Sequence, residues 1–286
     1  MSGIEQWLVD HKIPVGRWGE NFFDFLINNF SGFFDLISDA LGFLINGVID
    51  IMLFLPSIVS VILITALSYY LQRSFKLTLF VLVALLFVVN QGYWTETVQT
   101  LALVVSSTGI CMILGIPVGI AAAHRPWLYT ILRPILDLLQ TIPTFVYLIP
   151  TLILFGLGVV PGLISTVVFA IAAPVRLTYL GISSVPKPLA EAAESFGATK
   201  SQLLWKVEIP HALPTIMAGV TQCIMLSLSM VVIAALVGAD GLGKPVVRAL
   251  NQMKIDTGIE AGLAIVIVAV LLDRLCKQRN APVDGA

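Results

Sequence analysis

The sequence predicts an all-α integral membrane protein, with about seven transmembrane helices preceded by an amphipathic helix. Of its 286 residues, 58% are hydrophobic and only 12% are charged, and the mean hydropathy of +0.96 is far from that of a soluble domain. Apolar runs recur at the length of about 20 residues that a helix needs to cross a hydrocarbon core of about 30 Å. A net charge of −1 gives no electrostatic reason to expect nucleic-acid binding.

The first element is an amphipathic segment. Polar residues between 22 and 51 fall three or four apart and apolar residues fill another face, which is helical spacing. The helix could lie in the membrane interface or pack on another subunit, and we expect a break near Asn28, Asn29 and Gly32. We assign residues 1–50 to an extracytoplasmic or interfacial segment. The amino terminus lacks the features of a removable signal peptide, so we expect it to be retained.

The transmembrane domain is assigned to residues 51–276, where apolar runs long enough to span a bilayer follow one another. A turn at 73–76 joins the first two runs, and Gly156 and Gly158 form a short hinge between the fourth and the fifth. Residues 277–286 are predicted to form a terminal tail. The predicted spans are 51–72, 76–93, 97–123, 133–156, 158–182, 212–237 and 258–276.

Lysine and arginine determine the orientation, because loops on the cytoplasmic side carry an excess of these residues. With the amino terminus outside, eleven of the sixteen face inward and five face outward. This arrangement places loop 184–214 and the carboxyl terminus in the cytoplasm. The inward set is Arg73, Lys76, Arg125, Arg133, Arg176, Lys187, Lys200, Lys206, Arg274, Lys277 and Arg279, and the outward set is Lys12, Arg17, Lys244, Arg248 and Lys254.

Loop 184–214 is a long polar interruption that is predicted to fold as two short helices. Pro188 suits the start of the first helix, which should end near Phe196 because Gly197 can adopt a left-handed cap. Thr199 and Gln202 have the spacing of a capping box at the start of the second helix. Pro210 and Pro214 are expected to end that helix before the next apolar run.

The spacing of residues in this loop resembles the EAA loop of ABC importer permeases. The matching pattern is Glu191, Ala192, Ala193, Gly197, Val207, Ile209 and Pro210, with Val and Ile where the family usually has Ile and Leu. In that family the loop is a coupling helix that seats in a groove of the cytoplasmic ATP-binding subunit. The resemblance therefore implies that these residues couple the chain to an ATPase, with helix-in-groove contact as the physical mode.

Polar and helix-breaking residues are concentrated between Pro117 and Arg176, where a lipid-facing helix would not carry them. Gly115 and Gly119 form a GxxxG face for close helix packing. Arg133 and Asp137 are four residues apart, and we expect them to pair on one helix face. Polar residues near breaks in a helix line pathways in transporters. The candidates for the translocation pathway are Gln140, Thr141, Pro143 and Tyr147.

No enzyme is predicted from this sequence. The segment GADGLGKP at 238–245 approaches a phosphate-binding loop, but Pro245 replaces the required hydroxyl residue. It is better explained as a Gly-rich bend before a short external helix. The three histidines stand singly in loops, and the three cysteines share no metal-ligand spacing, so we interpret the cysteines as buried thiols.

Two further stretches, QTIPTFVYLIP at 140–150 and LVGADGLG at 236–243, resemble the quaternary-amine branch of these permeases. That branch takes up glycine betaine, proline betaine and choline. The resemblance implies a type I ABC importer fold in a bacterial inner membrane, with no cofactor in this chain because ATP and Mg²⁺ bind a partner subunit. It also implies a second permease copy forming a homodimer within membrane lipid, two ATP-binding subunits and an external substrate-binding protein.

An ion-coupled secondary transporter or channel is the alternative from another class. Such a protein would need ionisable residues near the bilayer centre for coupling. In this sequence Arg133, Asp137, Arg176 and Asp273 are instead expected near the ends of spans.

Overall fold

The computed structural model describes Trp7 and residues 11–276, and within this part of the chain every regular element is helical. The predicted tail 277–286 and most of the first ten residues lie outside the described residues. The helices are α1 (Val15–Leu53), α2 (Ser57–Gln72), α3 (Phe75–Asn90), α4 (Trp94–His124), α5 (Pro126–Thr141), α6 (Leu148–Phe155), α7 (Val159–Ala170), α8 (Ala172–Ser183), α9 (Lys187–Ser195), α10 (Lys200–Ala235), α11 (Gly243–Gln252) and α12 (Ile255–Cys276).

Helices α4, α8 and α10 form the centre of the bundle, and glycine allows them to approach closely. A Cβ atom at Gly119 would lie 2.7 Å from the carbonyl oxygen of Val175 in α8, and one at Gly115 would lie 3.1 Å from the Pro174 ring. The GxxxG face predicted from the sequence therefore packs closely on another helix, as expected, and that helix is α8. Gly219 of α10 meets the same helix, since its Cβ would lie 3.1 Å from that of Leu177.

Length and composition qualify five stretches of the described chain as membrane spans: α1, α4, α7 with α8, α10 and α12. Helices α2 and α3 have 16 residues each, which is short of the roughly 20 that a perpendicular span requires. The first of them begins at Ser57 instead of residue 51, because α1 continues to Leu53 and Pro56 ends the intervening bend. Helices occupy all seven predicted runs, but α2 and α3 are shorter than a full span and run 133–156 is broken.

The predicted continuous span 133–156 is wrong. Helix α5 ends at Thr141, and the chain turns by 104° into a 3₁₀ turn, Thr144–Tyr147, and helix α6. Ile142 is extended, with φ −65° and ψ 130°, because the ring of Pro143 disfavours the helical conformation in the residue before it. The bend leaves a sharply broken element beside α10, which the 3₁₀ turn contacts.

The prediction that Pro210 and Pro214 end a loop helix is also wrong. Helix α10 runs for 36 residues from Lys200 to Ala235 and passes through both prolines. Its first part contains a π turn, Leu204–Glu208, and the N–H of Ile209 bonds to the Leu204 carbonyl five residues back. The wider π turn accommodates a proline at 210 without ending the helix. The second part of loop 184–214 is therefore the amino-terminal end of a helix that is long and apolar enough to span a membrane.

The amino-terminal helix α1 changes direction where the sequence suggested a break. Phe30 has non-helical angles, φ −130° and ψ 17°, between Asn29 and Gly32. The later half of α1 packs on the bundle, with Ile45 fully buried and the Phe34 ring edge-on to that of Phe155 at 5.6 Å. Residues 16–53 are long and apolar enough to cross a membrane. Helix α1 can therefore span the membrane as well as lie in its interface.

The predicted orientation can be tested by labelling one residue at each end of the bundle. Lys200 begins α10 and Lys254 follows α11, and both are exposed. We expect Lys200→Cys to react with an impermeant maleimide only from the cytoplasm and Lys254→Cys only from outside. The background carries Cys276→Ser, because the native thiol of Cys276 is half-exposed while those of Cys111 and Cys223 are buried. Labelling of each cysteine from the opposite side would show that the predicted orientation is wrong.

Candidate coupling loop and pathway

The first helix of the loop, α9, ends in a Schellman motif at the predicted glycine. Gly197 has φ +80°, a conformation that costs glycine nothing but strains other residues. The N–H of Ala198 donates to the Ala193 carbonyl at 3.0 Å, and the N–H of Gly197 donates to the Glu194 carbonyl at 2.8 Å. These two bonds satisfy the last carbonyl groups of the helix and set the direction of the turn. The predicted end near Phe196 is confirmed.

The turn leads directly into a capping box, as predicted. The N–H of Gln202 donates to the Thr199 hydroxyl oxygen at 3.3 Å, and the N–H of Thr199 donates to the Gln202 side-chain oxygen at 2.9 Å. Only three residues, 197–199, separate Phe196 from α10. The left-handed Gly197 ends α9, and the side chains of Thr199 and Gln202 cap the start of α10. Helix α9 is therefore connected to α10 by a short, hydrogen-bonded turn and not by a flexible loop.

The loop presents apolar side chains to solvent at one end of the bundle. Phe196 is 93% exposed and Trp205 is 65% exposed, and Leu189 is also exposed. Of the predicted coupling residues, Glu191 and Ala192 are exposed and Ala193 is half-buried. Exposed aromatic side chains on a rigid loop are typical of a protein-binding surface.

The remaining predicted coupling residues attach the loop to the bundle. Val207 and Ile209 are half-buried, and Ile209 packs on a core cluster formed by Ile182, Ala212 and Ile216. Pro210 is exposed within the continuous helix. The motif thus contains an exposed group in α9 and a group at the start of α10 that anchors the loop.

A hydrogen bond between a histidine and a carboxylate, which sequence analysis missed, joins the loop to the end of α4. The Nε2 atom of His124 lies 2.9 Å from Oε2 and 3.2 Å from Oε1 of Glu208, whose residue is only 8% exposed. The other ring nitrogen, Nδ1, lies 3.0 Å from the Ile120 carbonyl. Both nitrogens face acceptors, and a neutral ring can donate to only one of them. The sequence did contain a signal for this contact, because Glu208 lies between the apolar residues Val207 and Ile209. A carboxylate at a buried position needs a hydrogen-bonding partner.

The predicted pathway residues cluster at the bend between α5 and α6, and two of them stabilise it. Tyr147 is buried and its hydroxyl donates to the Leu139 carbonyl across the break. The Thr141 hydroxyl donates to the Leu138 carbonyl at 3.1 Å. Pro143 causes the turn and Gln140 is half-buried beside it. The structure thus gives Tyr147 and Thr141 local hydrogen-bonding roles in the broken helix.

The expected pairing of Arg133 with Asp137 is wrong. Asp137 instead accepts a hydrogen bond from Arg176 of α8, with an Nη2 to Oδ1 distance of 2.6 Å. Three residues after Arg176 in α8, the ring of Tyr179 stacks on that of Tyr129 in α5, with centroids 3.5 Å apart. Residue spacing within one helix does not reveal that an arginine of a neighbouring helix lies within hydrogen-bonding distance of the carboxylate. These two contacts hold α5 against α8, the helix that leads into the loop.

The Gly-rich segment forms the expected bend at the opposite end of the bundle. Gly241 has φ +125°, and the N–H of Leu242 donates to the Thr100 hydroxyl of α4 at 2.8 Å. A Cβ atom at Gly241 would lie 2.7 Å from that same oxygen, so the backbone approach requires glycine. Helix α11 follows, with Pro245 in its first turn. The segment is packed into the fold and has no open phosphate-binding cradle.

Comparisons with known proteins agree with this geometry. The family described as "Binding-protein-dependent transport system inner membrane component" matches residues 115–276. The chain is 46% identical over 267 residues to the glycine betaine transport system permease protein OpuAB of Bacillus subtilis, covering 93% of this chain and 94% of the relative. It is 42% identical over 271 residues to the glycine betaine/carnitine transport permease protein GbuB of Listeria monocytogenes, with 94% and 96% coverage.

A further relative and a solved structure extend the similarity. The glycine betaine/proline betaine transport system permease protein ProW of Escherichia coli is 40% identical over 267 residues, which cover 93% of this chain and 75% of that protein. Among solved structures, an inward-facing MetNI methionine ABC transporter matches with a TM-score of 0.56 and 25% identity. That match covers 61% of this chain and 88% of the other.

Proposed function

This chain belongs to the family of binding-protein-dependent transport system inner membrane components, and from that premise we propose that it is the permease subunit of an ATP-driven importer. The proposed substrate is a quaternary ammonium compound of the glycine betaine, proline betaine or choline type. The names of the relatives support the two betaines, and choline follows from the sequence resemblance alone. The observation that carries the proposal is the exposed helix α9, which a short hydrogen-bonded turn joins to the long apolar helix α10. Such a loop can transmit force from a partner into the membrane.

The mechanism we infer is alternating access driven through this loop. Helix α8 enters it and α10 leaves it, and the two helices pack closely, since a Cβ at Gly181 would lie 3.0 Å from that of Ala212. The pair of His124 and Glu208 adds α4 to the same unit. A displacement of α9 would therefore move all three helices together instead of bending a linker. The two states of the bundle must then be favoured to different extents by ATP and by the loaded binding protein.

The coupling surface is assigned to Glu191, Ala192, Ala193 and the exposed ring of Phe196. A groove on a cytoplasmic ATP-binding subunit would receive α9, with the small alanines allowing close backbone approach and the ring filling an apolar pocket. We assign ATP and Mg²⁺ binding and hydrolysis to that subunit, and substrate capture to an external binding protein. A second permease copy completes the assembly in the inner membrane, with the amino terminus outside and the carboxyl terminus in the cytoplasm.

We further propose that the broken helix lines part of the pathway. Pro143 turns the chain, Gln140 precedes the turn, and the 3₁₀ turn that follows contacts α10. Because Tyr147 is buried and bonded to the Leu139 carbonyl, we assign it the role of holding the bend open, with Gln140 and Thr141 nearer to the solute. Such non-helical backbone is tolerated at membrane depth only where protein or a cavity surrounds it.

The energy source distinguishes this proposal from an ion-coupled transporter. We expect uptake of glycine betaine by proteoliposomes containing the full complex to require ATP and to persist when ionophores collapse the proton and sodium gradients. A hydrolysis-deficient ATP-binding subunit is the matched control and should abolish uptake. Uptake that stops with the ionophores and ignores ATP would support the ion-coupled alternative instead.

A further inference from the structure

One narrow face of α10 is left uncovered by the rest of the described chain. Beyond Pro214, each exposed residue of this helix lies on that face, while the neighbouring positions are buried or half-buried. Their separations of four, three, four and seven residues keep them in line along one side of a helix. The exposed residues are Ala218, Gln222, Met225 and Ser229, and Leu236 continues the line one residue beyond the end of α10.

Gln222 lies on this face in the middle of the apolar part of α10. It is eleven residues from His211 and thirteen from Ala235, where α10 ends, or about 16 and 20 Å at 1.5 Å per residue. Ser229 satisfies its hydroxyl by donating to the Met225 carbonyl at 3.0 Å. Within residues 11–276 no hydrogen-bond partner is found for the Gln222 amide. An amide exposed to hydrocarbon without a partner is costly.

The composition of the face argues against lipid as its neighbour. Helix α3, at the periphery of the bundle, exposes bulky apolar side chains such as Leu79, Phe80 and Val83, as a lipid-facing helix does. The exposed face of α10 offers instead an alanine, an amide, a thioether and a hydroxyl. It also lies on the helix that the 3₁₀ turn of the broken segment contacts. A water-filled pathway would satisfy the amide and explain the small and polar residues.

We propose that Gln222 is a substrate contact within the translocation pathway, where its amide N–H groups donate to the carboxylate of a zwitterionic betaine. This inference rests on the proposed function. A trimethylammonium group has no N–H to donate, so the carboxylate is the one end of such a solute that a hydrogen-bond donor can recognise. The side-chain amide offers two donors and no net charge. A neutral donor binds the carboxylate weakly enough to release it, which passage requires.

The test compares variants of the full complex in proteoliposomes, with uptake started by ATP and binding protein loaded with labelled glycine betaine. We expect Gln222→Leu to lower the uptake rate about tenfold, the effect of losing a hydrogen bond to a charged group. Gln222→Glu, which has the same shape but repels the carboxylate, should lower it further. The concentration of loaded binding protein giving half-maximal uptake should not change, and Val83→Ala on the peripheral helix α3 should match the wild type.

Accessibility supplies a second readout that does not depend on transport. In a background lacking the three native cysteines, we expect Gln222→Cys to react with a charged, water-soluble thiosulfonate while Val83→Cys on α3 does not. Wild-type uptake in both Gln222→Leu and Gln222→Glu would overturn the proposal. So would an unreactive Gln222→Cys that forms disulfide-linked dimers, because the face would then be a sealed contact between two copies. Failure of ATP to drive wild-type uptake would instead count against the proposed function.

Discussion

Replacement of Gly197 by valine is expected to leave the protein inserted in the membrane but to uncouple it from its ATPase. The glycine has φ +80°, and a β-branched residue is strained in that region. If the backbone relaxed to relieve this strain, the hydrogen bonds donated by the N–H groups of Ala198 and Gly197 would break. These bonds set the direction of the turn after α9. We expect stimulation of ATP hydrolysis by loaded binding protein, measured in reconstituted complexes, to fall at least about tenfold, within the usual range of coupling energies.

Two companion variants separate conformation from surface chemistry at the same loop. Gly197→Asn is the control, because asparagine tolerates the left-handed region and open space surrounds the position, so most of the stimulation should remain. Glu191→Lys leaves the turn intact but reverses a charge on the exposed face of α9. It should also lose stimulation, through the contact itself. Full stimulation in both Gly197→Val and Glu191→Lys would contradict the coupling role of this loop.

Gly119→Val is expected to have the largest effect on stability. Even a Cβ at this position would lie 2.7 Å from both the Val175 carbonyl oxygen and the Cβ of Thr178, so α4 and α8 would have to separate. Overpacking of a well-packed core costs about 1–3 kcal/mol and occasionally more, and a clash with backbone belongs at the upper end. We expect a clearly lower melting temperature of the purified protein in detergent, together with reduced yield from membranes.

Gly109 on the same helix provides the matched control. A Cβ at Gly109 meets no atom within 4 Å, so Gly109→Val changes the same residue type in the same way without the clash. Its melting temperature should stay near that of the wild type. Equal melting temperatures for the Gly119 and Gly109 variants would show that α4 and α8 are not held at the observed separation.

Local chemistry accounts for the features that were predicted correctly. The end of α9 at Gly197 and the capping box of Thr199 with Gln202 depend on residues within five positions of each other, and both form as expected. The GxxxG pair of Gly115 and Gly119 also depends only on helical spacing, although its partner, α8, was not identified. The family assignment made from the loop pattern agrees with the comparisons.

The prolines show that local sequence preferences do not by themselves predict where a helix ends. Pro143 ends α5 and turns the chain by 104°, whereas Pro210 and Pro214 lie within a helix that continues past them. The rule that a proline ends a helix is the same at each position. The outcome depends on whether the freed backbone groups can be satisfied, here by a π turn before Pro210 and by the Tyr147 hydroxyl across the break at Pro143.

The sequence by itself determined the membrane class, the helical segments, the caps of the coupling loop and the family, because hydropathy and short-range geometry are encoded in neighbouring residues. Only the tertiary structure decided that Glu208 meets His124, that Asp137 meets Arg176 and not Arg133, and that Gln222 lies on the uncovered face of α10. In helices that are apolar on all sides, periodicity does not mark which face is covered. The partner of a polar side chain is therefore selected by how the helices pack.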